Sequence, residues 1–281
     1  MNPPVLGAER PRSPHFHSHY VSVGNQRLRV TLGGQGADGI PLVLINGIGA
    51  TGDLFDPLRL ELVDLETVAF DAPGVNRSPA PLAPVAMSYY ADVVAGMARE
   101  LGHERFDVVG VSWGGALAQE LAWRHPRRVR RVVLAATTPG LLAVPGRPAA
   151  MALLLTPARY YSPSYLLRIA PTLYGGDIVD HPDLLAEHAY QRSHHAPSLH
   201  GYLFQLGAIM AFSSHRYLHR LTQPTLVLAG DDDPIIPLAN GKILARRIRH
   251  ARLHVVKGGG HLFLFTHAAE MAAIIQEFLE E

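Results

Sequence analysis

A serine, a histidine and a group of aspartates stand where they could act as a nucleophile, its base and the group that orients the base. The serine is Ser112. It follows the β-branched run Val108-Val109-Gly110-Val111 and precedes Trp113-Gly114-Gly115 and the helix-forming stretch Ala116–Ala122. The spacing Gly110-x-Ser112-x-Gly114 suits a serine on a tight strand-to-helix turn. Side chains two residues before and two after it would clash as the backbone folds back. Such a turn lifts the hydroxyl clear of a sheet edge and sets it at a helix N-terminus.

A serine hydroxyl is a poor nucleophile at neutral pH, so it needs a base, and the base needs an orienting acid. His261 is placed to be the base. It follows the strand pattern Leu253-His254-Val255-Val256 in Gly258-Gly259-Gly260-His261, whose glycines let the ring reach a neighbouring strand end. His254 lies inside a strand, and His194 and His195 lie where no strand pattern exists. The acid comes from Gly230-Asp231-Asp232-Asp233-Pro234, after the strand Thr225–Ala229. The chain order serine, aspartate, histidine accompanies a nucleophile on this kind of turn. The three aspartates remain alternatives at this point. A divalent-cation site built on them would lack a second ligand cluster, so no metal is expected.

These residues need a sheet that delivers them to one edge. Pro41-Leu42-Val43-Leu44-Ile45 is a continuous apolar run and predicts a central strand. It ends in Asn46-Gly47-Ile48-Gly49-Ala50, where glycine lets backbone approach a ligand and the N–H of Ile48 could hold an oxyanion. Thr67–Phe70 and Val132–Ala135 predict further strands, and Tyr20–Leu32 reads as a hairpin turning at Gly24-Asn25. Ser88 is expected to cap a helix with Tyr90, Val93, Val94, Met97 and Leu101 on one face and Gly102 as its stop. A last helix turns Met271, Ile274, Ile275 and Phe278 inward.

Strand patterns stop between residues 138 and 220. Pro145, Pro148, Pro157, Pro163, Pro171, Pro182 and Pro197 punctuate short apolar helical pieces there. The organisation read from this is an α/β core from 19–137 and 221–281, a helical cap at 138–220, and a flexible tail at 1–18. Leu153, Leu154, Leu155, Tyr160, Tyr161, Leu166 and Leu167 are candidates for substrate contact on the cap.

Of the 281 residues, 48% are apolar and 17% charged, which suits a large core rather than disorder. The net charge of +1 gives no general attraction to nucleic acid, and the absence of cysteine excludes disulfides and thiolate catalysis. The longest mostly apolar stretch, Tyr202–Phe212, is interrupted by Gln205 and too short to span a bilayer. No secretory signal is recognised at the start, and a cytoplasmic location is expected. His15, His17 and His19 alternate, and with no carboxylate or cysteine beside them they read as a solvated edge. Arg124, Arg127, Arg128, Arg130 and Arg131 read as a solvated helix end and loop.

Over roughly residues 22–280 the chain resembles the α/β-hydrolases, specifically the intracellular depolymerases of medium-chain-length poly(3-hydroxyalkanoate). The resemblance rests on Asn46–Ala50, Phe70–Val75, Gly110–Gln119, Val144–Pro148, Arg168–Gly176, Gln223–Leu238 and Gly260–Leu264. It implies a mostly parallel central sheet flanked by helices, with an inserted helical lid. It implies Ser112 as nucleophile, His261 as base, Asp233 as orienting acid, and the N–H groups of Ile48 and Trp113 as oxyanion donors. Asp233 meets the family's register, three residues after Gly230 and four before Pro237. No cofactor is implied, and the substrate is an aliphatic polyester granule or a small ester. Asn76-Arg77 departs from an expected glycine pair, and Gly258-Gly259-Gly260 is one residue longer than usual, which bears on substrate range. The alternatives are a small-ester esterase or lactonase, a carbon–carbon bond hydrolase or perhydrolase, and a binding protein of this fold without turnover.

Overall fold

Short apolar runs without a polar face must be buried on both sides, and the middle of this sheet is made of them. The computed structural model describes residues 16–34 and 39–281. The chain opens with a hairpin of β1 (His17–Val23) and β2 (Gln26–Gly33), turning at Gly24-Asn25 with Gly24 in the left-handed region at φ 56°. Then come β3 (Leu42–Ile45), α1 (Asp56–Glu61), β4 (Thr67–Phe70), α2 (Met87–Glu100), β5 (Phe106–Val111), α3 (Trp113–Arg124) and β6 (Val129–Ala135). Between β6 and the next strand lies a helical insert of α4 (Pro148–Leu154), α5 (Pro163–Tyr174), α6 (Pro182–His194) and α7 (Leu199–Ala211). The chain closes with β7 (Thr225–Gly230), α8 (Leu238–Arg247), β8 (Ala251–Val256), α9 (Phe263–Thr266) and α10 (Ala268–Glu280).

The strands form one sheet in the order β1-β2-β4-β3-β5-β6-β7-β8. β2 is antiparallel to both its neighbours, and β3 through β8 run parallel. Winding starts at β3, passes out to β4, then crosses back to β5 on the other side. The loops leaving β3 and β5 therefore diverge at a switch point, where open α/β sheets bind ligands. Helices α2, α3 and α8 bury one face of the sheet, and α1 and α10 the other. The insert has its own apolar cluster around Leu166, Leu173 and Tyr174.

Several local details differ from the sequence reading. α2 starts one residue before Ser88, so Ser88 lies in the first turn and does not cap it; Gly102, at φ 86°, does stand just past the helix end. Ile274 is only partly buried. Tyr160 and Leu166 are fully buried in the insert, whereas Leu155, Tyr161 and Leu167 are exposed. Of the expected tail, 1–15 lies outside the described residues, as does His15, and β1 already begins at His17. Among the described residues no helix is long and apolar enough to cross a membrane.

Candidate active site

Ser112 joins β5 to α3 at φ 55° and ψ −116°, outside the conformations open to most residues with a Cβ. Its surroundings hold it there. Its N–H donates to the Ala135 carbonyl at 2.9 Å, and its carbonyl accepts from the Gly115 and Ala116 N–H groups and from the Thr137 hydroxyl. A Cβ on Gly110 would collide with the carbonyl of Gly114, and one on Gly114 with the carbonyl of Ile45. Both glycines of the motif are thus demanded by backbone packing.

β7 ends in the three adjacent aspartates, and each has a different set of partners. Asp233 is buried. Its Oδ1 accepts the N–H groups of Ile235 at 2.8 Å and Ile236 at 2.9 Å, and its Oδ2 lies 2.7 Å from His261 Nδ1. An ionised carboxylate there can only accept, so Nδ1 carries the proton and Nε2 is left as the basic nitrogen. Asp231 accepts the N–H of Gly258 at 2.7 Å. Asp232 accepts the N–H of Gly176 at 3.0 Å and the Arg147 guanidinium at 2.7 Å, which hold its carboxyl below the usual range.

His261 is positioned by the insert. The N–H of His261 donates to the carbonyl of Tyr174, at the end of α5, at 2.7 Å. A Cβ on Gly176 would strike the backbone of Gly260, and one on Gly260 the carbonyl of Gly175. The glycine-rich approach to His261 is therefore a place where two backbones touch.

The loop after β3 is closed by Asn46. Its Oδ1 accepts the Gly47 N–H at 2.8 Å, and its Nδ2 donates to the Thr51 carbonyl at 2.7 Å. The Ile48–Gly49 peptide is held at both ends by the insert: the Tyr160 hydroxyl donates to the Ile48 carbonyl, and Gln205 Oε1 accepts the Gly49 N–H at 2.8 Å. No hydrogen bond among the described residues engages the N–H of Ile48. The Trp113 N–H belongs to the first turn of α3, where the helix itself supplies no acceptor. Gln205 also donates to the Pro73 carbonyl and accepts the Trp113 indole N–H on its own carbonyl. Asn76, at φ 48°, donates to Asp71, which also takes Arg29 and the Gly52 N–H. Asparagine tolerates that conformation, so the residue that departs from the glycine pair fits without loss.

Ser112, His261 and Ile48 line one cavity, with Asp233 behind the imidazole. The Trp113 side chain is buried and faces α7, so this residue offers the site its backbone only. The roof of the cavity comes from Tyr160, which the sequence marks for substrate contact, and from three residues that sequence reasoning passed over: Arg159, His188 and Arg192. Burial raises the Tyr160 hydroxyl, but Arg192 and Arg159 outweigh it and hold it below the usual phenol value. Burial, with the same two guanidiniums beside it, holds His188 well below an ordinary imidazole. Nothing local in the sequence marks Arg159, His188 or Arg192 for the cavity, whereas Gln205 could be suspected as the polar break in an apolar run.

The chain matches the family model described as alpha/beta hydrolase fold over residues 40–268. It is 44% identical over 262 residues to a poly(3-hydroxyalkanoate) depolymerase of Ectopseudomonas oleovorans, spanning 93% of this chain and 92% of that protein. It is 32% identical over 292 residues to a 2-hydroxymuconate semialdehyde hydrolase of Pseudomonas sp. (strain CF600), spanning 96% and 95%. In three dimensions it is similar to the enol-lactonase of Burkholderia xenovorans LB400. That likeness has a TM-score of 0.81 at 24% identity, covers 94% of this chain and 100% of that one, and shows the fold.

Proposed function

The chain belongs to the α/β-hydrolase fold family, and from that premise we propose that it is a serine hydrolase of carboxylic esters that depolymerises medium-chain-length poly(3-hydroxyalkanoate). One observation carries the reaction type: Asp233 grips His261 at 2.7 Å, and His261 shares a cavity with a serine held in a strained turn. The 44% identity to a poly(3-hydroxyalkanoate) depolymerase supports the substrate.

His261 Nε2 takes the Ser112 proton as Oγ attacks the ester carbonyl. The N–H groups of Ile48 and Trp113 receive the developing oxyanion; removing one such donor typically costs about 2.7–4 kcal/mol of barrier. The intermediate collapses to an acyl-serine, and His261 returns the proton to the departing alkoxide. A water then gives its proton to His261 and attacks the acyl group, and Ser112 is regenerated with release of a 3-hydroxy acid or oligomer. Asp233 keeps the imidazole in the productive tautomer and stabilises the imidazolium throughout. No step requires a cofactor or a metal. The proposed place of reaction is the surface of a polyester granule, a reading supported by the exposed Leu155, Tyr161 and Leu167, which can meet the polymer.

The test is incubation of the purified protein with short- and medium-chain polyester suspensions, followed by identification of soluble products. Release of 3-hydroxy acids from the medium-chain polymer, abolished in Ser112→Ala, is expected. Conversion of a 2-hydroxymuconate semialdehyde without action on any ester would instead favour the chemistry named for the 32% identical relative.

A further inference from the structure

The roof of the cavity holds two guanidiniums and no acid. Arg159 is 2% exposed. It donates to the carbonyls of Leu153, Leu154 and Thr156 and to the hydroxyls of Tyr160 and Tyr202. Arg192, half-buried on α6, donates through Nε to His188 Nε2 at 2.9 Å and lies 4.9 Å from the Tyr160 ring centre. Both line the cavity that contains Ser112 and His261. Neither forms an ion pair with a carboxylate among the described residues.

The neighbours cannot supply the missing negative charge. Tyr160 donates its proton to the Ile48 carbonyl, so it is a phenol and not a phenolate. His188 accepts from Arg192 through Nε2, so it is neutral. The carbonyls and hydroxyls around Arg159 solvate its charge without neutralising it. A buried charge without a counter-ion is costly, and Arg is the side chain best shaped to grip a carboxylate with two parallel hydrogen bonds. Elsewhere in the chain the buried guanidinium of Arg29 and the partly buried one of Arg130 do find aspartates.

We infer that Arg192, backed by Arg159 and aimed by His188 and Tyr160, binds the free carboxylate of the substrate. The substrate is then an ester whose terminal unit is a 3-hydroxy acid, taken at the carboxylate end of the chain. The two guanidiniums and His261 line the same cavity, and when the terminal ester is cut the carboxylate-bearing unit is the leaving alkoxide that His261 protonates. The carboxylate-bearing unit leaves as the free 3-hydroxy acid, and cutting proceeds from that end. Only the position of the cut rests on the proposed ester hydrolysis; the anion subsite does not.

The probes are the linear dimer of 3-hydroxyoctanoic acid and its methyl ester, in which the methyl group removes the terminal charge, and turnover is read as cleavage of the internal ester alone. For the wild-type protein, kcat/KM is expected to favour the free acid by roughly 10- to 100-fold, the range of one charged hydrogen bond. Arg192→Gln should bring that ratio close to one, and Arg192→Lys, which keeps the charge but loses the fork, should leave it intermediate. A ratio near one in the wild-type protein overturns the inference while leaving ester hydrolysis standing. If neither dimer is cut, titration calorimetry of Ser112→Ala with 3-hydroxyoctanoate decides. Binding that weakens at least tenfold when Arg192→Gln is added supports the subsite, and equal or absent binding overturns it.

Discussion

Tyr160 and Gln205 hold the two polar ends of one peptide group: the phenol donates to the Ile48 carbonyl, and the Gln205 amide oxygen accepts the Gly49 N–H. Both side chains come from the helical insert, while the peptide they hold belongs to the loop after β3. The orientation of the neighbouring Ile48 N–H is therefore set by a part of the chain distant in sequence. An oxyanion donor must point at the place where charge develops, so its aim matters as much as its presence.

Gln205→Leu should show this coupling. It leaves the buried Gly49 N–H and Pro73 carbonyl without partners. Each such group costs about 1–3 kcal/mol, so urea unfolding should report a loss of about 2–6 kcal/mol. Ester hydrolysis should lose more than tenfold in kcat with a smaller change in KM. Unchanged kcat in a folded variant would show that the loop keeps its shape without the insert.

Ser112→Ala should fold as the wild-type protein does and lose ester hydrolysis by several orders of magnitude, keeping only what binding and oxyanion donors supply. Ser112→Gly gives a separate reading of the turn. A residue with a Cβ at φ 55° carries about 1–3 kcal/mol of strain. Glycine relieves that but loses about 0.5–1 kcal/mol more in chain entropy. Thermal unfolding should find Ser112→Gly at least as stable as Ser112→Ala, and the reverse order would mean the turn is unstrained.

The three adjacent aspartates should separate cleanly in kinetics. Asp233→Asn presents an amide to His261 Nδ1, favours the wrong tautomer, and should lower kcat on the order of 10⁴-fold. Asp231→Asn and Asp232→Asn alter bonds to Gly258, Gly176 and Arg147 and should stay within about tenfold, or 1.4 kcal/mol of barrier. A large loss at either of these with Asp233→Asn nearly normal would move the acid to another position.

Stability should fall on the acid side because of His188. The buried imidazole resists protonation, whereas in the unfolded chain it titrates near about 6.5. Below that pH the unfolded state binds the extra proton, so stability drops as the pH falls, by up to about 1.4 kcal/mol per pH unit for one group. Above it the contribution is constant. Urea unfolding of the wild-type protein and His188→Gln between pH 5 and pH 8 should show a shallower acid slope in the variant. Superimposed slopes would mean that His188 protonates as freely folded as unfolded.

What the sequence determined by itself is what short stretches of backbone must do. The glycines flanking Ser112 are legible because their lack of a Cβ is a local necessity, and the collisions at Gly110 and Gly114 supply the reason. The apolar runs of β3, β4 and β7 announce strands buried on both faces, and the chain order of Ser112, Asp233 and His261 follows from which strand ends they occupy. The insert was legible only as helical and proline-broken. Its periodicity could not separate Tyr160 and Leu166, which are buried, from Tyr161 and Leu167, which are exposed. Burial there depends on partners such as Gly49 and Gln205, 156 residues apart. In the cluster of Arg159, Arg192 and His188, the last two already share a face of α6 four residues apart, but Arg159 joins them only when the folded chain closes over the cavity. Backbone geometry is written within a few residues, whereas the surroundings of a side chain are set by whatever the whole fold brings against it.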